Sequence, residues 1–98
     1  MDTFFLYILQ SESSGRFYIG STSNLIRRYH EHSAGKSRST RGRGPWRMVY
    51  SEEYASRSEA IARERLLKKA KSSIYLRELI LQNSAHIYGE ERVASILF

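Results

Sequence analysis

The chain has no cysteine in its 98 residues, which excludes a disulfide framework and any thiolate metal site. Proline occurs once, at Pro45, where it suits the start of a strand. Long apolar runs are missing too. The first, Phe4 to Leu9, falls far short of the roughly 20 residues that cross a bilayer, and with Asp2 near the start nothing has the form of a signal peptide. A reducing cytoplasm is the expected setting. Acidic residues are outnumbered, 10 Asp and Glu against 16 Lys and Arg, for a net charge of +6 and a pI near 9.9. Such an excess suits a polyanionic partner, because Lys and Arg bind phosphates by displacing condensed counterions. The blander alternative, a small basic protein that is merely soluble, stays open on charge alone. The length allows one domain, and an apolar fraction of 41% supports a modest core.

What is present is concentrated between Phe4 and His32. Two tyrosine-bearing apolar runs, Phe4 to Leu9 and Phe17 to Gly20, flank the polar stretch Glu12-Ser13-Ser14-Gly15 and read as antiparallel strands over 3–10 and 16–20. Neighbouring strands lie about 4.8 Å apart, so Tyr7 and Tyr18 are expected side by side. Ser21-Thr22-Ser23-Asn24 offers N-caps for a helix over 24–34, with Leu25, Ile26 and Tyr29 facing the core and Gly35 as its stop. Arg28 and His32 are one turn apart and share a face. Two phenols, a guanidinium and an imidazole can therefore converge.

Lys36 to Gly44 is a Gly-, Ser- and Arg-rich loop with four cations and no acid. It is either a solvated connector or a grip on a phosphate backbone; flexible glycines and hydroxyls among the charges favour the grip. Trp46 to Tyr50 reads as a third strand, extendable to Tyr54, with Trp46, Met48 and Tyr50 on one side. Trp46 offers a stacking surface for a base, although packing the sheet is the commoner use. Ser56 and Glu59 form a capping box ahead of a helix over 57–71, with Ala60, Ile61, Leu67 and Ala70 as its apolar contacts. Another helix, 73–83, packs through Ile74, Leu76, Leu79 and Ile80. The tail, 84–98, ends in an apolar stretch that suits a short amphipathic helix, covering the sheet or pairing with a partner.

Phe5-Leu6-Tyr7, Tyr18-Ile19-Gly20, Asn24-Leu25, Arg28-x-x-x-His32, Gly35-Lys36, Thr40-Arg41 before Pro45, and Arg63-Glu64 ahead of Leu67-Lys68 occur in that order. Over residues 3–83 this set resembles the GIY-YIG nuclease family, in its small stand-alone branch. Phe5 stands where the first motif usually has glycine, and Ser21 stands where the repair-incision branch tends to have lysine. The resemblance implies an α+β fold, a small three-stranded antiparallel sheet flanked by helices in the order β-β-α-β-α-α, here followed by the short C-terminal helix. It divides the chain into a nuclease-like domain, 1–83, and an extension, 84–98.

The resemblance also implies roles. Glu64, rather than Glu59, is the metal-binding glutamate; on the residues alone, a helix carboxylate beside Lys68 reads as one of a solvated i,i+4 pair. One carboxylate suffices for Mg2+ or Mn2+, since Mg2+ keeps most of its waters. Arg28 holds the scissile phosphate, where a planar fork outperforms a point charge. A free tyrosine has a pKa of about 10; Tyr18 is implied as the base, with Tyr7 orienting water and His32 receiving or relaying the proton. Asn83 lies near a position where some members carry asparagine, against its plain use as a helix C-cap. The DNA-contacting set is Lys36, Arg38, Thr40, Arg41, Arg43, Trp46 and Lys68.

The expected activity is a divalent-metal-dependent DNA endonuclease leaving 5′-phosphate and 3′-hydroxyl ends. With no second module to read duplex sequence, the expected substrates are single-stranded, branched or nicked DNA. Two alternatives remain: a nucleic-acid-binding module without catalysis, and a nuclease subunit activated by a partner protein through the tail.

Overall fold

The structure, a computed structural model, describes residues 3–70 and 73–86. Its elements are β1 (Phe4–Ser11), β2 (Phe17–Thr22), α1 (Leu25–Ser33), β3 (Trp46–Tyr54), α2 (Arg57–Ala70) and α3 (Ser73–His86). This is the expected α+β order. The strands make one antiparallel sheet in the spatial order β2-β1-β3. The most apolar run, β1, takes the centre and β2 takes an edge. Gly15, with φ +77°, turns the chain between β1 and β2 in a conformation that a side chain disfavours. The expected C-terminal helix lies outside the described residues, and α3 runs past Asn83 to His86, so the expected boundary at 83/84 falls inside a helix.

Alternation along the strands divides the core in two. Leu6, Ile8, Ile19, Val49 and Tyr50 face α2 and α3, where Leu67 and Leu76 complete a cluster. Tyr7, Leu9, Trp46 and Met48 face the other way, against Tyr18, Leu25 and Tyr29. The sheet thus carries an aliphatic face under two helices and an aromatic face under α1. The expected alternation of Trp46, Met48 and Tyr50 breaks. A register shift pairs Ile8 with Tyr50 and Leu9 with Met48, and the extra residue of this bulge turns Tyr50 to the aliphatic face.

Three expected core residues lie outside. Ile26 and Ile74 are 67% and 69% exposed, and Ala70 is exposed as well. α1 docks through Leu25, Tyr29 and His32, a stripe at helical spacing, and Ile26 lies about 100° round from Leu25. Helix ends are set by side chains. Asn24 Oδ1 accepts from the Arg27 amide at 3.0 Å, and the Ser56 hydroxyl accepts from the Glu59 amide at 3.2 Å. Both are N-caps.

α2 is held twice. Ala60 and Leu67 are buried, and Arg63 between them donates from Nε and Nη2 to both Glu52 oxygens, at 3.0 and 3.1 Å. The Tyr50 and Tyr54 hydroxyls donate to the same carboxylate. A two-pronged guanidinium bond fixes rotation as well as distance, so α2 cannot turn on the sheet. Glu64, the next residue, takes its direction from that anchor.

Candidate active site

Tyr7 is the hub of the aromatic face. Its hydroxyl lies 2.9 Å from His32 Nε2 and accepts from Arg28 Nε at 3.4 Å. The register explains how it reaches them. Tyr7 stands directly opposite Gly20, and Tyr18 opposite Leu9, so the two phenols are diagonal neighbours with ring centroids 6.4 Å apart. A Cβ on Gly20 would fall 2.5 Å from the Tyr7 oxygen. The glycine of the second motif is therefore the gap through which the first motif's phenol extends toward the free edge of the sheet.

His32 is buried in the aromatic cluster with both nitrogens engaged: Nε2 with Tyr7, and Nδ1 2.7 Å from Thr40 Oγ1. Burial, with the Arg28 charge adding to it, pushes its pKa down to about 4. The ring is neutral at pH 7 and carries one N–H, so one nitrogen donates while the other accepts. With Nδ1–H turned to Thr40, Nε2 is open to the Tyr7 proton. Burial also raises the Tyr7 phenol to about 12, against the lowering pull of Arg28.

Arg28 is pinned by Glu31, whose Oε1 accepts from Nη1 at 2.8 Å. That bond raises the guanidinium pKa further and lowers that of Glu31, leaving the pair fully charged at neutral pH. Among the described residues Nη2 has no partner, so one arm of the fork remains for a phosphate oxygen.

Glu64 arrives from the opposite face of the sheet. At the β2 edge its Oε1 accepts from the Ser21 hydroxyl at 2.7 Å and its Oε2 from Lys68 Nζ at 2.6 Å. The carboxylate lies close enough to Tyr7 to act on the phenol electrostatically. Tyr7, Tyr18, Arg28 and His32 from one face, and Glu64 from the other, thus share one rim. The Tyr18 ring is half-buried, edge-on to His32 with centroids 5.0 Å apart, and no described residue bonds its hydroxyl.

Among the described residues no three His, Asp or Glu side chains gather into a metal cage. The donors present are one carboxylate and the Ser21 hydroxyl, both oxygen. That set fits a hard divalent ion that keeps most of its own water, with Lys68 displaced from Oε2. Lys68, half-exposed, has room to move.

The residues expected to contact DNA divide. Lys36, Arg38, Arg41 and Arg43 are exposed on the loop. Thr40 and Trp46 are 1% and 7% exposed. Trp46 Nε1 donates to the Thr40 carbonyl at 3.0 Å, and its ring packs edge-on to Tyr18. These two brace the site from within and offer DNA no surface in this arrangement. Lys68 pairs with Glu64, and Asn83 Nδ2 donates to the Leu79 carbonyl of its own helix at 3.0 Å, outside the cluster.

Sequence reasoning missed Ser21, Glu31, the Thr40–His32 bond and the Glu52–Arg63 anchor. Glu31 had a signal, since it lies three residues after Arg28 on the same helix. The others join different elements or a loop to a helix, at separations of 8, 11 and 43 residues, and had none.

The fold and this rim define a GIY-YIG catalytic domain: the family model for that domain matches residues 3–78, and the chain belongs to the GIY-YIG family. The family is one of endonucleases. Among its relatives are UPF0213 proteins, one from Streptococcus pneumoniae serotype 4, 38% identical over 68% of each chain, and one from Cronobacter sakazakii, 33% identical over 84% of this chain and 90% of that one. The solution NMR structure of a UPF0213 protein from Bacillus halodurans is similar, with a TM-score of 0.51 and 33% identity over 82% of this chain and 84% of that one. No helix among the described residues is long and apolar enough to cross a membrane.

Proposed function

We propose that this chain is a Mg2+- or Mn2+-dependent endonuclease that hydrolyses phosphodiester bonds in DNA that is single-stranded, branched or nicked. The observation that carries this reading is the placing of Glu64, bonded to Ser21 beside Gly20, near the Tyr7 phenol that itself bonds His32 and Arg28. Glu64, kept in place by Ser21, would hold a divalent ion, which would supply positive charge to the leaving 3′ oxygen. Arg28, fixed on one side by Glu31, gives its remaining arm to the scissile phosphate and to the charge that grows there. Tyr18, whose hydroxyl no described residue bonds, takes the proton of the attacking water as it releases its own to solvent. Tyr7 orients that water and links it to His32.

The expected relay to His32 is narrowed by the bonds observed. His32 touches the hydroxyl of Tyr7 and not that of Tyr18, so a proton reaches Nε2 through Tyr7. Lys36, Arg38, Arg41 and Arg43 hold the backbone on the α1 side. We assign the activity to the cytoplasm, where the bacterial relatives keep their DNA. The apolar tail, beyond the described residues, remains our candidate for a partner contact.

The decisive experiment is cleavage of labelled single-stranded, duplex, nicked and branched oligonucleotides with Mg2+, Mn2+ and EDTA, by wild type and Glu64→Ala. Metal-dependent cutting by wild type only, with unchanged DNA binding by the variant, is the expected result. Salt-sensitive binding with no cutting under any condition would leave a binding module in its place.

A further inference from the structure

A groove of about 900 Å³ runs along the outer side of β2, between the β1–β2 turn, α2 and α3. Among the described residues β2 is an edge strand, with no strand beyond it. The floor of the groove is apolar, made by Ile19, Leu67 and Leu76, and its rim carries Arg16, Lys68 and Arg77. Arg16 comes from the β1–β2 turn, Lys68 from α2 and Arg77 from α3, and no carboxylate is among the described lining residues. Phe17 and Tyr18 are in its wall, with the Arg77 guanidinium 5.9 Å from the Phe17 ring centroid. Tyr18 and Lys68 are shared with the active-site rim, so the groove opens directly onto it. None of the loop cations from Lys36 to Arg43 takes part.

We propose that this groove is the track of an unpaired strand leaving the scissile phosphate, with a base stacked on Phe17 and Arg77 and successive phosphates on Arg16, Lys68 and Arg77. The charge complementarity selects a polyanion, and the aromatic and apolar surfaces select one that exposes base faces. In a duplex those faces are stacked on each other and only the edges show; in a single strand they are free. Stacking on a flat ring is tolerant of sequence, and phosphate contacts position without reading it. The enzyme therefore grips DNA at two places, the loop on one side of the cut and this groove on the other. The second place requires an unpaired strand. The inference rests on the nuclease reading for the nature of its occupant.

The test uses the full chain carrying Glu64→Gln, so that bound DNA is not cut. An oligonucleotide containing 5-iodouracil, which couples to aromatic side chains under near-ultraviolet light, should cross-link to the Phe17–Tyr18 peptide. Added to that background, Phe17→Leu, which keeps apolar packing but loses the flat face, and Arg77→Ala should each weaken binding of a labelled oligothymidylate about tenfold and spare a duplex of equal length. Cross-links confined to the 36–43 loop, or unchanged affinity in both variants, would overturn the track. Equal losses on single strand and duplex would overturn its preference for unpaired DNA. Cross-linking at Phe17 in this background, together with no cutting by the wild-type chain under any metal condition, would refute the nuclease reading and leave the groove standing, whereas cutting by wild type without that cross-link would do the reverse.

Discussion

Gly20 faces Tyr7 across the β1–β2 pair so closely that the Cβ it lacks would lie 2.5 Å from the phenol oxygen. The nearest atoms are the hydroxyl and ring of a side chain only 1% exposed, so the phenol has little room to yield. Gly20→Ala should therefore lower stability by about 1–3 kcal/mol, the usual range for overpacking. It should also break the bonds from Tyr7 to His32 and Arg28. Urea denaturation together with cleavage assays would check this; a variant as stable and active as wild type would show that the gap has no purpose.

Ser21 holds one oxygen of Glu64, and Lys68 the other. Ser21→Ala should leave the carboxylate in place but less well aimed, with a loss of about 10–100-fold in metal affinity or activity, the range for groups that orient a ligand. Glu64→Ala should cost more, abolishing detectable cleavage while DNA binding persists. Titration of cleavage against Mn2+ concentration separates the two: Ser21→Ala should be rescued by excess metal, and Glu64→Ala should not.

His32 has its pKa lowered from 6.5 to about 4, first by burial and then by Arg28. The unfolded chain then binds a proton before the folded chain does as pH falls. The contribution of His32 is complete above about pH 6.5, declines through the interval to pH 4, and is gone below it. By this linkage the loss amounts to a few kcal/mol. Denaturation curves from pH 7.5 to 4 should show the decline in wild type and a shallower one in His32→Asn. Identical pH profiles would mean that the imidazole is not held neutral.

Under the proposed function the loop cations hold DNA away from the reacting phosphate. Arg38, Arg41 and Arg43 changed together to Ala should weaken binding and reduce the slope of log K against log salt by about 2, at roughly 0.7 per single-strand phosphate contact. The rate of the bound complex should be little changed. Single-turnover kinetics at saturating enzyme would reveal a direct catalytic part if that rate collapsed.

Much of this was readable along the chain, for local reasons. The alternation in Phe4 to Leu9, the glycine at the turn, the Asn24 and Ser56 caps and the Arg28–His32 spacing all depend on neighbours within a few positions. Each formed as expected. Ile26 and Ile74 misled because apolarity alone does not say which side of a short helix docks. Thr40, which sits in the basic loop, is buried beneath it and bonds His32, while Trp46 packs against the sheet, the commoner use of such a residue, and donates to the Thr40 carbonyl.

The primary structure by itself determined the elements and their order, because hydrophobic period, capping and turn formation act over a few residues. Only the tertiary structure decided that Glu64 comes near Tyr7 at the β2 edge, that Gly20 makes way for the phenol, and that Ser21 and Thr40 hold Glu64 and His32 in place. Those pairings depend on strand register, on the bulge in β3 and on the rotation of α2 fixed by Arg63 on Glu52. Such quantities arise when the sheet and helices pack together, and no local stretch of the chain contains them.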